Sequence, residues 1–193
     1  MSFEEQINIA TAQVSTGLPI FICDLGFIKE QLISARQAIA ELQVSHPEPP
    51  PSNVHAAYMS PWKSHRLNRQ LVPLCESVKI IATFISRKLL SANLDALNMD
   101  LLVTDCWGII YEKSDYTLPH HHFPADFSCS VYLEVEPDAS PLYFSENCQI
   151  PPKPGMLVLF PGILTHEVRP TAGRRVVIAM NLNKRAMFDK PAT

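Results

Sequence analysis

Between residues 101 and 182 the chain shows no helical apolar period and breaks into short runs rich in β-branched and aromatic residues. The runs are 101–103, 106–112, 127–135, 142–144, 156–160, 163–168 and 175–182, and proline, glycine, asparagine or aspartate marks most of the gaps. With no helices between them, such strands cannot be joined as parallel βαβ units. They predict an antiparallel sandwich or barrel.

The first hundred residues have a different texture. Residues 3–14 suit a short helix and 18–23 a strand. Residues 26–44 carry Ile28, Leu32, Ala35, Ile39 and Leu42 in a helical stripe. Pro47-Glu48-Pro49-Pro50-Pro51 cannot be helix interior and ends that element. Residues 56–59 suit a brief strand. A longer helix is expected over 71–94, where Leu71, Leu74, Val78, Ile81, Ile85 and Leu89 recur at spacings of three and four, widened by Phe84 and Leu90. Pro73 is tolerated there because it falls in the first turn. The expected class is α+β, with N-terminal helices packed outside a β core. A chain of 193 residues fits one domain, with a mixed helical segment over residues 1–100, a core over 101–183 and a tail over 184–193.

Composition narrows the function classes. The chain is 47% hydrophobic and 18% charged with a formal charge of −3, so no global field draws it to nucleic acid or an anionic membrane. It has no apolar stretch of about 18 residues, and its N-terminus lacks a basic and apolar leader. Cys23, Cys75, Cys106, Cys129 and Cys148 are odd in number and include no C-x-x-C pair, which argues against a disulfide scaffold or zinc ribbon. They read as reduced thiols of a cytoplasmic protein.

The chemistry concentrates in the β-rich half. His120-His121-His122 precedes the run 127–135, His166 lies 44 residues beyond His122, and Arg175 follows nine residues later. On a strand, residues i and i+2 share a face, so His120 and His122 can point together while His121 points away. A third imidazole from His166 would complete a one-sided, three-nitrogen metal site with positions left open for a substrate. Asp126, brought in by a bulge, is an alternative third ligand, and His121 could replace a neighbour on an irregular strand. If 169–174 is the turn of a hairpin pairing Val168 with Arg175, Arg175 lies diagonal to His166 on the same face, placed to clamp a carboxylate. Arg174 and Glu167 then face away. Trp107 reads as core and Asn181 as a residue on Arg175's face, while Trp62, Lys63, His65 and Arg66 read as a surface loop, with a lid over the site as the alternative.

These residues resemble the Fe(II)- and 2-oxoglutarate-dependent oxygenase superfamily, in its prolyl-hydroxylase-like branch. His166-Glu167-Val168-Arg169-Pro170 with Arg175 after it is similar to the family's H-E-V-x-P…R segment. Val131-Tyr132-Leu133 resembles its V-Y-Y-L strand, and Lys153 to Pro161 its P-x-x-G-x-L-x-x-F strand. The resemblance covers about residues 101–183 and implies a double-stranded β-helix (jelly roll). Fe(II) would be held by His120, His122 and His166. The resemblance also implies 2-oxoglutarate as cosubstrate, with Arg175 and Tyr132 at its 5-carboxylate. Tyr111 is a further candidate for hydrogen bonding the cosubstrate, from a strand just before the cluster. The partners would be O2 and a small-molecule or peptidyl substrate, hydroxylated with release of succinate and CO2. One departure stands out: His122 replaces the usual H-x-D carboxylate, as in a bacterial and phage-associated subgroup with H-x-H-x-P. A three-histidine cupin (a thiol dioxygenase or isomerase) without 2-oxoglutarate is the alternative, and a non-catalytic metal-stabilised β module the third reading.

Overall fold

The structure, a computed structural model, describes residues 17–88, 90, 94 and 97–186. Its architecture follows from alternation on one long strand, β11 (Arg175–Ala186). Val176, Ile178, Met180 and Leu182 point to one side of this strand and Arg175, Val177 and Ala179 to the other, and all seven are buried. A strand covered on both faces reads as a continuous apolar run, as 176–180 does.

β11 belongs to a six-stranded antiparallel sheet. Its order across the sheet is β1 (Phe21–Asp24), β9 (Met156–Pro161), β6 (Phe127–Val135), β11, β4 (Met99–Tyr111) and β3 (Tyr58–Met59). The second sheet has five antiparallel strands in the order β2 (Val54–His55), β5 (Tyr116–His120), β10 (His166–Val168), β7 (Leu142–Ser145) and β8 (Cys148–Ile150). These two antiparallel sheets form a double-stranded β-helix, the jelly roll of the expected α+β class. Trp107, Ile109, Tyr111, Tyr132, Phe160 and Val177 of the larger sheet meet Leu142 and Val168 of the smaller one in one apolar cluster.

The opposite face of the larger sheet is covered by α1 (Lys29–Ser45) and α3 (Val72–Lys88), which join its outward residues in the main core. α3 follows a 3-10 turn at Arg69–Leu71, where the Asn68 side chain accepts the Gln70 N–H at 3.0 Å, and Pro73 sits in its first turn. A one-turn helix, α2 (Ser64–Leu67), lies between them in sequence. Among the described residues no helix is long and apolar enough to cross a membrane. The helix expected at 3–14 lies outside the described residues, as does part of the stretch between Lys88 and Leu94.

Four sequence expectations need correction. Residues 101–103 and 106–112 are one strand, because the polar Thr104-Asp105 break is absorbed by a register shift opposite Asn181 and Leu182. β5 was hidden by Pro119, which sits where the β5–β10 register shifts, a position that asks no N–H of it. Only the end of 163–168 is strand. Its start is a turn closed by the Leu164 N–H on the Pro161 carbonyl.

The fourth correction matters most, because Val168 and Arg175 do not form a hairpin. β10 pairs with β5 and β7, whereas β11 pairs with β4 and β6, so the connection crosses from one sheet to the other. Its hydrogen bonds run outward: Thr171 N–H to the Asp115 carbonyl, Gly173 N–H to the Asp138 carbonyl, and Ser140 N–H to the Thr171 hydroxyl. Arg175 therefore faces the histidines across the space between the sheets.

Where α1 crosses β4, Gly108 lets the helix approach the sheet. A Cβ built there would lie 2.1 Å from Ile39 Cδ1 and 2.7 Å from its Cγ1. Ile39 is fully buried and branched at Cβ, so it has little room to yield. Gly108→Ala should destabilise the protein by about 1–3 kcal/mol. Chemical denaturation checks this, and a loss below the error of the midpoint would contradict the packing described.

Candidate metal centre

His120 closes β5 and its Nδ1 lies 2.8 Å from the Leu118 carbonyl oxygen. A carbonyl only accepts, so Nδ1 carries the proton and Nε2 keeps its lone pair. His166 opens β10 with the same arrangement, its Nδ1–H donating to the Leu164 carbonyl at 3.0 Å. The two residues are direct partners in the β5–β10 ladder. His122 lies two residues past the end of β5, so the strand's alternation does not place it. Its backbone N–H donates instead to the Gly162 carbonyl at 2.7 Å, and its ring stacks on His166 at 5.0 Å between centroids.

One ring nitrogen from each of the three lies within 4.8 Å of the others. His122 Nε2 and His166 Nε2 are 3.3 Å apart. Nitrogens bound to one divalent ion at about 2.0–2.1 Å, at tetrahedral or octahedral angles, stand about 2.8–3.4 Å apart. The three-histidine cluster therefore fits an Fe(II) site. Burial, reinforced by mutual repulsion, holds His166 down to about 3 and His122 to about 4, and burial lowers His120 as well. All three are thus neutral near pH 7, the form in which imidazole binds a metal. Around them, Phe160 meets the His166 ring edge-on at 4.7 Å and Trp107 lies 5.8 Å from His122.

The cluster opens onto a cavity of about 210 Å³ between the sheets. Its walls include Ile109, Leu142, Val177 and Ala179, and among the described residues no aspartate or glutamate lines it. At one end lies Arg175, only 2% exposed. Its guanidinium stands 4.5 Å from the Tyr111 ring centre and 5.8 Å from that of Tyr132, and Nη1–H donates to the Ser140 carbonyl at 2.6 Å. Nε of Arg175 and the Tyr132 hydroxyl are buried and have no partner among the described residues. Burial pushes the Tyr132 hydroxyl up to about 12, against the opposing pull of Arg175, so it stays a proton donor. The Tyr111 hydroxyl is 2.7 Å from the Thr117 hydroxyl, so its ring, not its oxygen, meets the cation.

Of the other residues the sequence singled out, Asp126 stands apart from the cluster. Its carboxylate accepts the Lys184 N–H at 2.7 Å and pairs with Lys184 Nζ. His121 is exposed at the cavity mouth, with its Nδ1 accepting the Phe123 N–H. Glu167 pairs with Arg169, away from the histidines, and Arg174 pairs with Glu112 and Glu134. Trp107 is core, as expected, yet it also lines the cavity beside His122. Asn181 carries a buried Oδ1 without a partner. Trp62, read as part of a surface loop, packs edge-on against Trp107 and lines the cavity. A lone tryptophan in a polar loop was the available signal. Nothing in the sequence announced the Ser140 carbonyl.

The fold is thus a jelly roll that holds a partly buried three-histidine cluster and, facing it, a buried cation. Solved structures of 2-oxoglutarate and Fe(II) oxygenases share that fold. A prolyl-4-hydroxylase from Pseudomonas putida superposes with a TM-score of 0.63 at 15% identity, over 88% of this chain and 94% of that one. HygX from Streptomyces hygroscopicus, solved with nickel and 2-oxoglutarate bound, gives 0.57 at 14% identity over 89% and 84%. A prolyl hydroxylase from Trichoplax adhaerens, in complex with a hypoxia-inducible factor peptide, gives 0.56 at 18% over 85% and 83%. No protein-family model matches the chain, and no curated protein matches it significantly.

The neutral histidines set a pH dependence in the metal-free protein. Once unfolded, each imidazole takes up a proton near the ordinary 6.5, whereas folded His122 and His166 do so only near 4 and 3. The unfolded chain therefore binds more protons in that window, and stability falls as pH drops from about 6.5 toward 4. Thermal melts of the metal-stripped protein should show this fall, and His166→Asn should make it shallower. An unchanged slope would contradict the burial assigned to His166.

Proposed function

We propose that this protein is a non-haem Fe(II)- and 2-oxoglutarate-dependent dioxygenase that hydroxylates its substrate. The observation carrying this reading is the buried Arg175 guanidinium, without a carboxylate partner among the described residues, in the cavity that also holds three convergent imidazoles. A buried cation is costly unless it is paired. A five-carbon diacid anchored at the histidines through its 2-oxo acid end supplies the missing partner through its other carboxylate.

His120, His122 and His166 would hold the ion, at the edge of the cavity they line. When bound, Fe(II) with 2-oxoglutarate and O2 supplies oxidative decarboxylation: one oxygen atom enters succinate as CO2 departs, and the other enters a C–H bond of the substrate. Arg175 clamps the 5-carboxylate, and the Tyr132 hydroxyl, free and protonated, donates to it. Tyr111 holds the guanidinium in place by its ring face and is itself fixed by Thr117. Ile109, Val177, Ala179 and Phe160 keep water from the reacting end. At about 210 Å³ the cavity lies below the usual volume of a pocket for a drug-sized ligand. It suits the cosubstrate, and the substrate, a small molecule or a peptidyl group, would enter past Trp62, Trp107 and His121.

The test is turnover of 2-oxoglutarate to succinate with added Fe(II). Wild-type protein should form succinate, slowly when no substrate is present, and Arg175→Ala should raise the KM for 2-oxoglutarate at least 100-fold, an effect on the order of the 2–5 kcal/mol of a buried charge pair. His166→Ala should abolish both metal retention and turnover. Tight metal binding without any binding of 2-oxoglutarate would favour the three-histidine cupin. Absence of turnover with every cosubstrate would favour a structural metal.

A further inference from the structure

We infer that the divalent metal and the dianionic cosubstrate bind to this protein as a coupled pair, each weakly without the other, because no anionic side chain among the described residues lines the cavity. The inference rests on the functional reading above and adds to it how strongly each loading depends on the other.

The argument is one of charge. The three candidate ligands are imidazoles, which bring no negative charge to a metal, and among the described residues no carboxylate lines the cavity. The nearby acids are committed elsewhere. Asp126 is held by the backbone and side chain of Lys184, Glu167 pairs with Arg169, and Asp115 accepts the N–H groups of Ala57 and Glu112. Asp105, two residues from Trp107 along β4, accepts the Thr104 hydroxyl at 3.0 Å and is not part of the wall. A divalent ion arriving alone would therefore bring two positive charges into an apolar cavity that already contains the buried Arg175 cation. Nothing there offsets the three charges, and the ion and the guanidinium repel each other. A dianion bridging the two sites cancels two of the three and turns that repulsion into a shared attraction. Had a carboxylate stood at position 122, the ion would carry part of its compensation before any cosubstrate arrived, and the coupling would be smaller. The same charge deficit predicts that a small monocarboxylate such as acetate tightens metal binding in part, by filling the missing place.

The chain's two tryptophans report on the site directly, since Trp107 lies 5.8 Å from His122 and Trp62 packs on Trp107 at 4.8 Å. The experiment titrates the full-length metal-free protein with Co(II), without O2, and follows quenching of tryptophan emission. It is repeated with saturating 2-oxoglutarate, with acetate, and for His122→Asp. Binding of 2-oxoglutarate is measured separately by equilibrium dialysis. Wild-type protein should bind Co(II) roughly 10- to 100-fold more tightly with 2-oxoglutarate, and less than that with acetate. His122→Asp should bind Co(II) alone more tightly than wild type and show a smaller gain from 2-oxoglutarate. If dialysis shows 2-oxoglutarate bound while the Co(II) affinity changes less than twofold, the coupling is wrong and the functional reading survives. If 2-oxoglutarate fails to bind with or without Co(II), the functional reading itself falls. Should His122→Asp not fold by circular dichroism, the wild-type acetate titration decides: no tightening overturns the inference.

Discussion

A guanidinium sealed between two β-sheets, with no acid beside it among the described residues, is the constraint around which this molecule is arranged. Alternation on β11 turns Arg175 inward with Val177 and Ala179, and only 2% of the residue reaches solvent. What holds it is partial. Two aromatic faces and one carbonyl, from Ser140, surround the head group, while Nε stays without a partner. Buried polar groups left in that state are rare in folded proteins, and here they support the proposed diacid partner.

The histidines and the arginine come from different sheets, and that division explains how the rest of the fold serves the site. His120 and His166 are neighbours on the smaller sheet and His122 follows directly on β5, whereas the cation and the two tyrosines belong to the larger one. Their separation is therefore set by the stacking of the sheets rather than by any local motif. The larger sheet is in turn positioned by α1 and α3 on its outer face, through contacts such as Ile39 on Gly108. The N-terminal half backs the larger sheet with these helices and also brings Asn53, Val54 and Trp62 to the cavity wall.

Much of this was legible in residue order. Strands 127–135 and 156–160 stand where the apolar runs put them, with one more residue in the second, because their buried faces leave a strong local signature. The helices α1 and α3 follow from their apolar stripes. The imidazole spacing picked out the three residues that converge. What stayed hidden was pairing across distance. Nothing local distinguishes a tight hairpin at 169–174 from a crossing between sheets, since the deciding hydrogen bonds go to Asp115, Asp138 and Ser140, far away in sequence. The same holds for His122: i, i+2 spacing suggested a shared strand face, but the residue is placed by the Gly162 carbonyl beyond the strand's end. β5 escaped notice because Pro119 masks a strand whose register shifts at that point.

The account stands or falls on one ion touching three particular nitrogens while one arginine holds the far end of a diacid. A crystal structure of the protein grown with Mn(II) and 2-oxoglutarate, without O2, measures this most directly. It should show the metal on the Nε2 atoms of His120, His122 and His166, with the distal carboxylate on Arg175 and within reach of the Tyr132 hydroxyl. A metal ligated by Asp126, or a diacid bound away from Arg175, would contradict it.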